Sequence, residues 1–379
     1  AEKIGNINSG KQIMKHISSK KMAKFIKNGS KATSDFEELK HTDCILMCVP
    51  TPLAIYEQPD MSYVESATKT ISKNLRKGQL VILESTTYPG TTKEVIKPIL
   101  EESGLVAGKD FFLAYSPERE DPGNKDFSVS KIPKIIGGLT DKCLNVADAL
   151  YSQIITKTVK VSSPETAEAT KLMENIFRAV NIAMVNELKL IFERMNINIW
   201  EVIEAANSKP FGFMPFYPGP GMGGHCIPID PFYLSWKAKE FNTEAKFIEL
   251  AGEVNRKMTE NVAHRIGKAL NDHSKSIRKS NILMLGLAYK KDIDDMRESP
   301  ALKIAELLRF KGANISYHDP NIDDAKELKF VELNKESLRK ADAVVITTDH
   351  SNVDYEMVGK YARLIIDTRN IMASVKNPK

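Results

Sequence analysis

Two blocks of the chain repeat one pattern, in which short apolar runs are separated by segments with helical spacing. In the first block, residues 40 to 140, the runs are CILMCVP (Cys44 to Pro50), LVILEST (Leu80 to Thr86) and FFLAYSPE (Phe111 to Glu118). In the second, from Ser280 onward, they are NILMLGLAY, ANISYHDP, ADAVVITTD and RLIIDTR. Runs of this length read as buried strands, and strands alternating with helices imply a parallel, doubly wound α/β sheet. Such sheets place their reactive groups just beyond the carboxyl ends of the strands. Pro50-Thr51-Pro52, Ser85-Thr86-Thr87 and Ser116-Pro117-Glu118 all fall there. Val64 to Asn74, Thr92 to Ser103 and Pro300 to Lys311 read as the intervening helices.

Between the blocks the period changes. Ser163 is a suitable N-cap with Pro164 at the first helical position, and Leu172, Ile176, Val180 and Met184 recur at helical spacing to about Arg194. A second long helix is expected from about Ala245 to Leu270, with Ile248, Ala251, Met258, Val262 and Ile266 as its apolar stripe. The expected fold class is therefore α/β, with two doubly wound, Rossmann-like parallel-sheet domains joined by a long-helix connector. The boundaries are 1–155, 156–275 and 276–379.

Composition removes several function classes. No apolar run approaches the roughly 20 residues that span a bilayer, and the start of the chain has no signal-peptide core. Four cysteines in 379 residues make no disulfide framework, which fits a reducing cytoplasm. The net charge of +5 is spread out, so nucleic acid is a poor partner and a small anion a better one. Cys44 and Cys48 are expected in the core, and Cys143 in an ordinary helix.

The Gly/Pro-rich loop between the long helices, FYPGPGMGGHCIPID, contains G-x-G-x-x-G at Gly219, Gly221 and Gly224. A dinucleotide loop must follow a strand and open a helix. This one does neither, so the match is coincidental. His225, Cys226 and Asp230 could each bind zinc, but no clustered His/Cys set accompanies them. Cys226 is then either a reactive thiol in a glycine-lined loop or an inert buried cysteine, and the residues alone leave both open.

CVPTP, ESTTYPGTT, YSPERE, AEATKLMEN, GPGMGGHCIPID and GLAYKKDIDDMRES occur in that order over nearly the whole chain. In this the sequence resembles the UDP-glucose/GDP-mannose dehydrogenase family, and the residues flanking the cysteine are most similar to its UDP-N-acetylglucosamine 6-dehydrogenase branch. The resemblance implies oxidation of a UDP-sugar's C6 alcohol to a carboxylate with two NAD, the sugar being UDP-N-acetylglucosamine or, as alternatives, UDP-glucose or UDP-N-acetylmannosamine. It also implies a homodimer or higher homo-oligomer built on the long helices; a nucleotide-sugar-binding protein without redox activity is the other reading. It assigns Cys226 as the nucleophile, Lys171 and Asn175 as a helical pair at the reacting oxygen, and Asp230 as the acid that positions water. Glu118 and Thr86 fall near the thioester and its hydrolytic water. Val49, Pro50, Thr51 and Thr86 fall on the nicotinamide side of NAD. Tyr217, Gly223 and Lys290 fall on the UDP-sugar, and Arg297 is a bidentate phosphate ligand counted with the cofactor.

Taken singly, Lys171 could be a solvated lysine, Asn175 a surface residue, Glu118 a capping acid and Thr86 a turn residue. Lys290 and Arg297 could be surface ion pairs with Asp292, Asp294, Asp295 or Glu298. The family pattern begins with a strand, a glycine loop and a ribose-binding acid, none of which is found in this sequence. The first sheet is accordingly expected to lack its first strands.

Overall fold

The structure, a computed structural model, describes residues 2–11, 17–54, 58–120, 129–224 and 227–376. It divides into two compact units, Ala1–Glu174 with Phe232–Thr243, and Asn175–Pro231 with Glu244–Lys379. Both are α/β, and each is built on a five-stranded sheet.

The first unit's strands lie in chain order: β1 (Cys44–Met47), β2 (Leu80–Leu83), β3 (Phe112–Tyr115), β4 (Lys134–Gly138) and β5 (Thr158–Val161). β1, β2 and β3 are parallel, β4 runs antiparallel to β3, and β5 is parallel to β4. The continuous apolar character of β2 follows from burial on both faces. Val81 and Leu83 join one core with Val64, Ile71 and Ile96, while Leu80 and Ile82 join the other with Ile136, Ala147 and Tyr151.

β1 corrects one expectation. Ile45 and Met47 are buried, whereas Leu46 is 46% exposed, Cys48 is exposed and Cys44 is only half-buried. Strand alternation sends these three to the face opposite Ile45 and Met47, where Cys44 packs half-buried against the core of Leu80 and Ile82 and Cys48 lies outside the core. Cys143 is fully buried in the Asp141–Tyr151 helix, as its pattern suggests.

The second unit's sheet is wholly parallel: β6 (Asn281–Leu285), β7 (Asn314–His318), β8 (Lys329–Phe330), β9 (Ala343–Ile346) and β10 (Ile365–Asp367), in the order β10-β9-β6-β7-β8. The Pro300–Phe310 helix starts at Ser299, whose side chain accepts from the Ala301 N–H at 3.2 Å. It packs with the Lys246–Asp272 helix through Ile304, Leu308, Val262, Ile266 and Leu270. Every residue of that helix's expected stripe is buried.

The other long helix, Pro164–Arg194, begins where the Ser-Pro pair places it, and Ser163 Oγ accepts from the Thr166 N–H at 3.2 Å. Its stripe differs from the expected one. Leu172 is buried but Met184 is 46% exposed, and Ala179, Ala183 and Val185 face inward instead. Small residues admit a neighbour closely, which displaces the buried face from the largest side chains.

Candidate active site

In the first unit, one face of the Pro164–Arg194 helix addresses two strand-end loops through residues three apart. Glu168 is fully buried, and its carboxylate accepts from the Gly90 N–H at 2.6 Å, the Thr92 N–H at 2.9 Å and the Thr92 hydroxyl at 2.7 Å. Burial without a cationic partner in those contacts pushes its carboxyl up to about 7. The buried Lys171 donates to the Glu118 carbonyl at 2.6 Å. Glu174 accepts from the Arg119 guanidinium at 2.5 and 3.3 Å. The loop after β2, which carries Thr86, and the loop after β3, which carries Glu118, are thus tied to one helix.

Glu118 itself is exposed. Its Oε1 accepts from the N–H groups of Arg119 and Glu120 at 2.8 and 2.6 Å, and its Oε2 lies 3.4 Å from Lys134 Nζ. Lys134 also bridges Glu84 at 2.9 Å, and the Tyr151 hydroxyl donates to the same Glu84 oxygen at 2.5 Å. Cys48 donates to the other Glu84 oxygen at 3.4 Å. The residue is exposed as a whole, but its sulfur is turned in on Glu84. Loss of water around the sulfur first, and the Glu84 carboxylate second, push the Cys48 thiol up to about 12, so it is protonated and no nucleophile.

On the same edge Val49 and Ser85 exchange hydrogen bonds at 2.8 and 2.7 Å, and Tyr233 donates to the Thr51 carbonyl at 2.6 Å. These contacts hold the loop around Pro50 while leaving the threonine side chains out of them. Thr86 is half-buried, and the fully buried hydroxyl of Thr87 has no partner among the described residues. A carboxyl edge of parallel strands with an unsatisfied buried hydroxyl fits the nicotinamide end of NAD.

In the second unit, Asn175 is fully buried, and its amide donates to the buried Asp230 carboxylate. Arg178 donates to the Asn175 carbonyl oxygen, which fixes which end of the amide meets Asp230. Two residues singled out in sequence therefore meet directly. Their companion Cys226, with His225, lies outside the described residues.

Gly223 and Gly224 pack against the loop after β6. A Cβ on Gly223 would stand 2.7 Å from Tyr289 Cβ and 2.9 Å from the Glu298 carbonyl, and the Gly224 N–H donates to the Arg297 carbonyl at 2.9 Å. The Gly219 N–H donates to Asn186, which donates to Asn255, and both asparagines are buried between the long helices. Lys290 is half-buried in the loop that meets Gly223. Tyr217 stacks on Trp200 and donates to Glu204 at 2.8 Å. The Arg297 guanidinium is engaged by both Asp295 oxygens, at 2.6 to 3.0 Å. It belongs to the second unit, whereas Val49, Pro50, Thr51 and Thr86 belong to the first. No group of three His, Cys, Asp or Glu suited to a metal occurs among the described residues.

Sequence reasoning passed over Glu168, Arg178, Lys134 and Arg369. Glu168 and Arg178 carried a signal, since they stand three residues from Lys171 and Asn175 on the same helix. Lys134 opens a strand that was not foreseen. Arg369 donates to the Thr347 carbonyl at 2.9 Å and lies against Gly219, a pairing distant in sequence.

Three profiles of one family match the chain: its NAD binding domain over residues 1–155, its central domain over 165–257 and its UDP binding domain over 283–374. A UDP-N-acetyl-D-mannosamine dehydrogenase of Pyrococcus horikoshii is 37% identical over 98% of this chain and 88% of its own. The chain belongs to the UDP-glucose/GDP-mannose dehydrogenase family. A UDP-N-acetyl-D-glucosamine 6-dehydrogenase of Pseudomonas aeruginosa is 35% identical over 91% of this chain and 84% of its own. The solved structure of the UDP-N-acetylmannosamine dehydrogenase from P. horikoshii superposes with a TM-score of 0.89, covering 100% of this chain and 89% of that one. The enzyme is thus an NAD-dependent UDP-sugar dehydrogenase. No helix among its described residues is long and apolar enough to cross a membrane.

Proposed function

We propose that this dehydrogenase oxidises the C6 alcohol of a UDP-N-acetylhexosamine to the carboxylate in two steps, with UDP-N-acetylglucosamine as the substrate. What carries the reading is the Asn175–Asp230 contact in a chain that retains the whole GPGMGGHCIPID loop. The sequence flanking Cys226 and the P. aeruginosa relative support the glucosamine form. UDP-N-acetylmannosamine is the second reading, favoured by the P. horikoshii relative.

When bound, NAD supplies the two-electron acceptor for each oxidation, and Val49, Pro50, Thr51 and Thr86 would hold its nicotinamide side. The Lys171 ammonium stabilises the developing alkoxide and exchanges its proton. Asn175 donates to the reacting oxygen. The Cys226 thiolate adds to the C6 aldehyde to give a thiohemiacetal, and loss of its C6 hydrogen as hydride together with the hydroxyl proton leaves a thioester. Water then attacks the thioester, releasing carboxylate and thiol. Asp230 or Glu118 takes the proton from that water. Lys290 and Arg297 meet the diphosphate, Arg297 by exchanging Asp295 for phosphate; Tyr217 and Gly223 contact the sugar nucleotide. Cys44, Cys48 and Cys143 are free thiols, which suits a reducing cytoplasm.

The test is NADH formed per sugar consumed, with UDP-N-acetylglucosamine and UDP-N-acetylmannosamine compared. Two NADH with the first sugar support the reading. One NADH with release of aldehyde overturns the thioester, and turnover of only the manno sugar moves the assignment to the second reading.

A further inference from the structure

The loop after β6, Gly286 to Asp292, carries Lys290 and is held from several sides by buried groups of its own unit. Asp319, at the end of β7, is buried, and its Oδ2 accepts from the N–H groups of Leu287 and Ala288 at 2.6 and 3.0 Å. In a dinucleotide-binding sheet the acid at that place reaches outward to a ribose; here it is turned onto the loop after β6. The hydroxyls of Thr347 and Thr348 donate to the carbonyls of Gly286 and Ala288 at 2.5 and 2.6 Å.

The far end of the loop rests on His350, which is fully buried. Its Nδ1 accepts from the Asp292 N–H at 2.9 Å, and the Asn321 amide nitrogen lies at the same distance. Its Nε2 faces Asp319 Oδ2 at 3.1 Å. An accepting Nδ1 leaves the ring proton on Nε2, so one neutral imidazole joins Asp319 to Asp292. Asp292 has φ +59, a left-handed conformation that a non-glycine residue keeps only when its surroundings impose it. The surroundings are His350 on the backbone and Ser351 on the side chain, through its N–H at 2.8 Å and its hydroxyl at 2.7 Å.

We infer that His350 is a positioning residue, the latch that keeps Asp292 left-handed and so holds Lys290 where the substrate's diphosphate is received. The inference rests on the reading above that Lys290 meets the diphosphate. His350 takes no part in the chemistry at C6, so its loss weakens substrate capture and leaves turnover at saturation intact.

Two substitutions separate the halves of the ring. His350→Asn keeps an acceptor near the place of Nδ1, whereas His350→Gln keeps an amide near Nε2 and leaves the Asp292 N–H without its acceptor. The KM for the UDP-sugar should rise roughly three- to tenfold in His350→Gln, the worth of one neutral hydrogen bond, with kcat unchanged, and His350→Asn should restore most of it. Equal KM values in wild type and His350→Gln, or kcat and KM altered alike in both variants, overturn the latch. Should both variants fail to fold, Ser351→Ala removes the hydroxyl tie on the Asp292 side chain from the surface, leaving the backbone N–H tie. A rise in KM alone supports the latch, and an unchanged KM refutes it. Lys290→Met separates the two readings. If it leaves KM unchanged, the diphosphate reading of the loop falls. If it raises KM while His350→Gln does not, only the latch falls.

Discussion

Glu168 gives the sharpest test of the first unit, because its carboxylate is buried and its three donors are all neutral. Burial raises the carboxyl from 4.5 to about 7, and the nearby Glu165, itself paired with Lys93 at 3.4 Å, adds to the rise. A raised carboxyl binds its proton more tightly in the folded protein than in the unfolded chain. Stability is therefore greatest below about pH 4.5 as far as this group is concerned, and is lost as pH rises toward 7. A shift of two to three units corresponds to about 3 kcal/mol. Glu168→Gln cannot ionise. Against the protonated wild type it costs about 1–3 kcal/mol, because an NH2 group must face a backbone N–H, and it carries none of the pH-dependent loss. The assay is thermal melting of both proteins between pH 4.5 and 8, read as the difference between their midpoints. The wild-type midpoint should fall relative to the variant's as pH rises, by on the order of 6–12 °C at 2–4 °C per kcal/mol, which closes the initial gap or reverses it. Parallel curves would refute the argument and show that the three hydrogen bonds keep Glu168 ionised throughout.

Cys226→Ser should abolish formation of the acid while leaving UDP-sugar binding within about twofold by calorimetry; full two-step turnover would sink the covalent route. Lys171→Ala should lower kcat by about a hundredfold or more and KM little, and a loss confined to KM would reduce Lys171 to a binding group. Gly286 has φ +84, and a Cβ there would stand 2.5 Å from Thr348, so Gly286→Ala should destabilise by roughly 2–4 kcal/mol; an unchanged melting point would refute the tight approach. Phe177, Met184 and Ile191 stand at heptad spacing on one helix and are each about 45% exposed, which supports a homodimer through that face. Sedimentation as a monomer at micromolar concentration would exclude it.

The strands read most easily were those buried on both faces, because β2 and β6 have no polar face to interrupt the apolar run. β4 and β5 were harder. KIIGG ends in two glycines, which are required because a Cβ on Gly137 would meet the Ser163 carbonyl at 2.3 Å and one on Gly138 the Leu144 backbone at 2.2 Å. TVKV has no fully buried residue at all. At the site, residues paired along one helix were legible from spacing. Glu168 with Gly90, and His350 with Asp292, join positions far apart in sequence, and no local pattern announces them.

The reversal of β4 has an effect on precision. Parallel strands offer only their carboxyl ends to a ligand edge, and what stands there hangs from loops. An antiparallel strand brings its amino end to the same edge, so Lys134 arrives rooted in the sheet, its N–H bonded to the Lys157 carbonyl at 3.0 Å. The ammonium beside Glu84 and Glu118 is therefore aimed with the tolerance of a hydrogen-bonded ladder, and loop motion around it changes its company without moving its base.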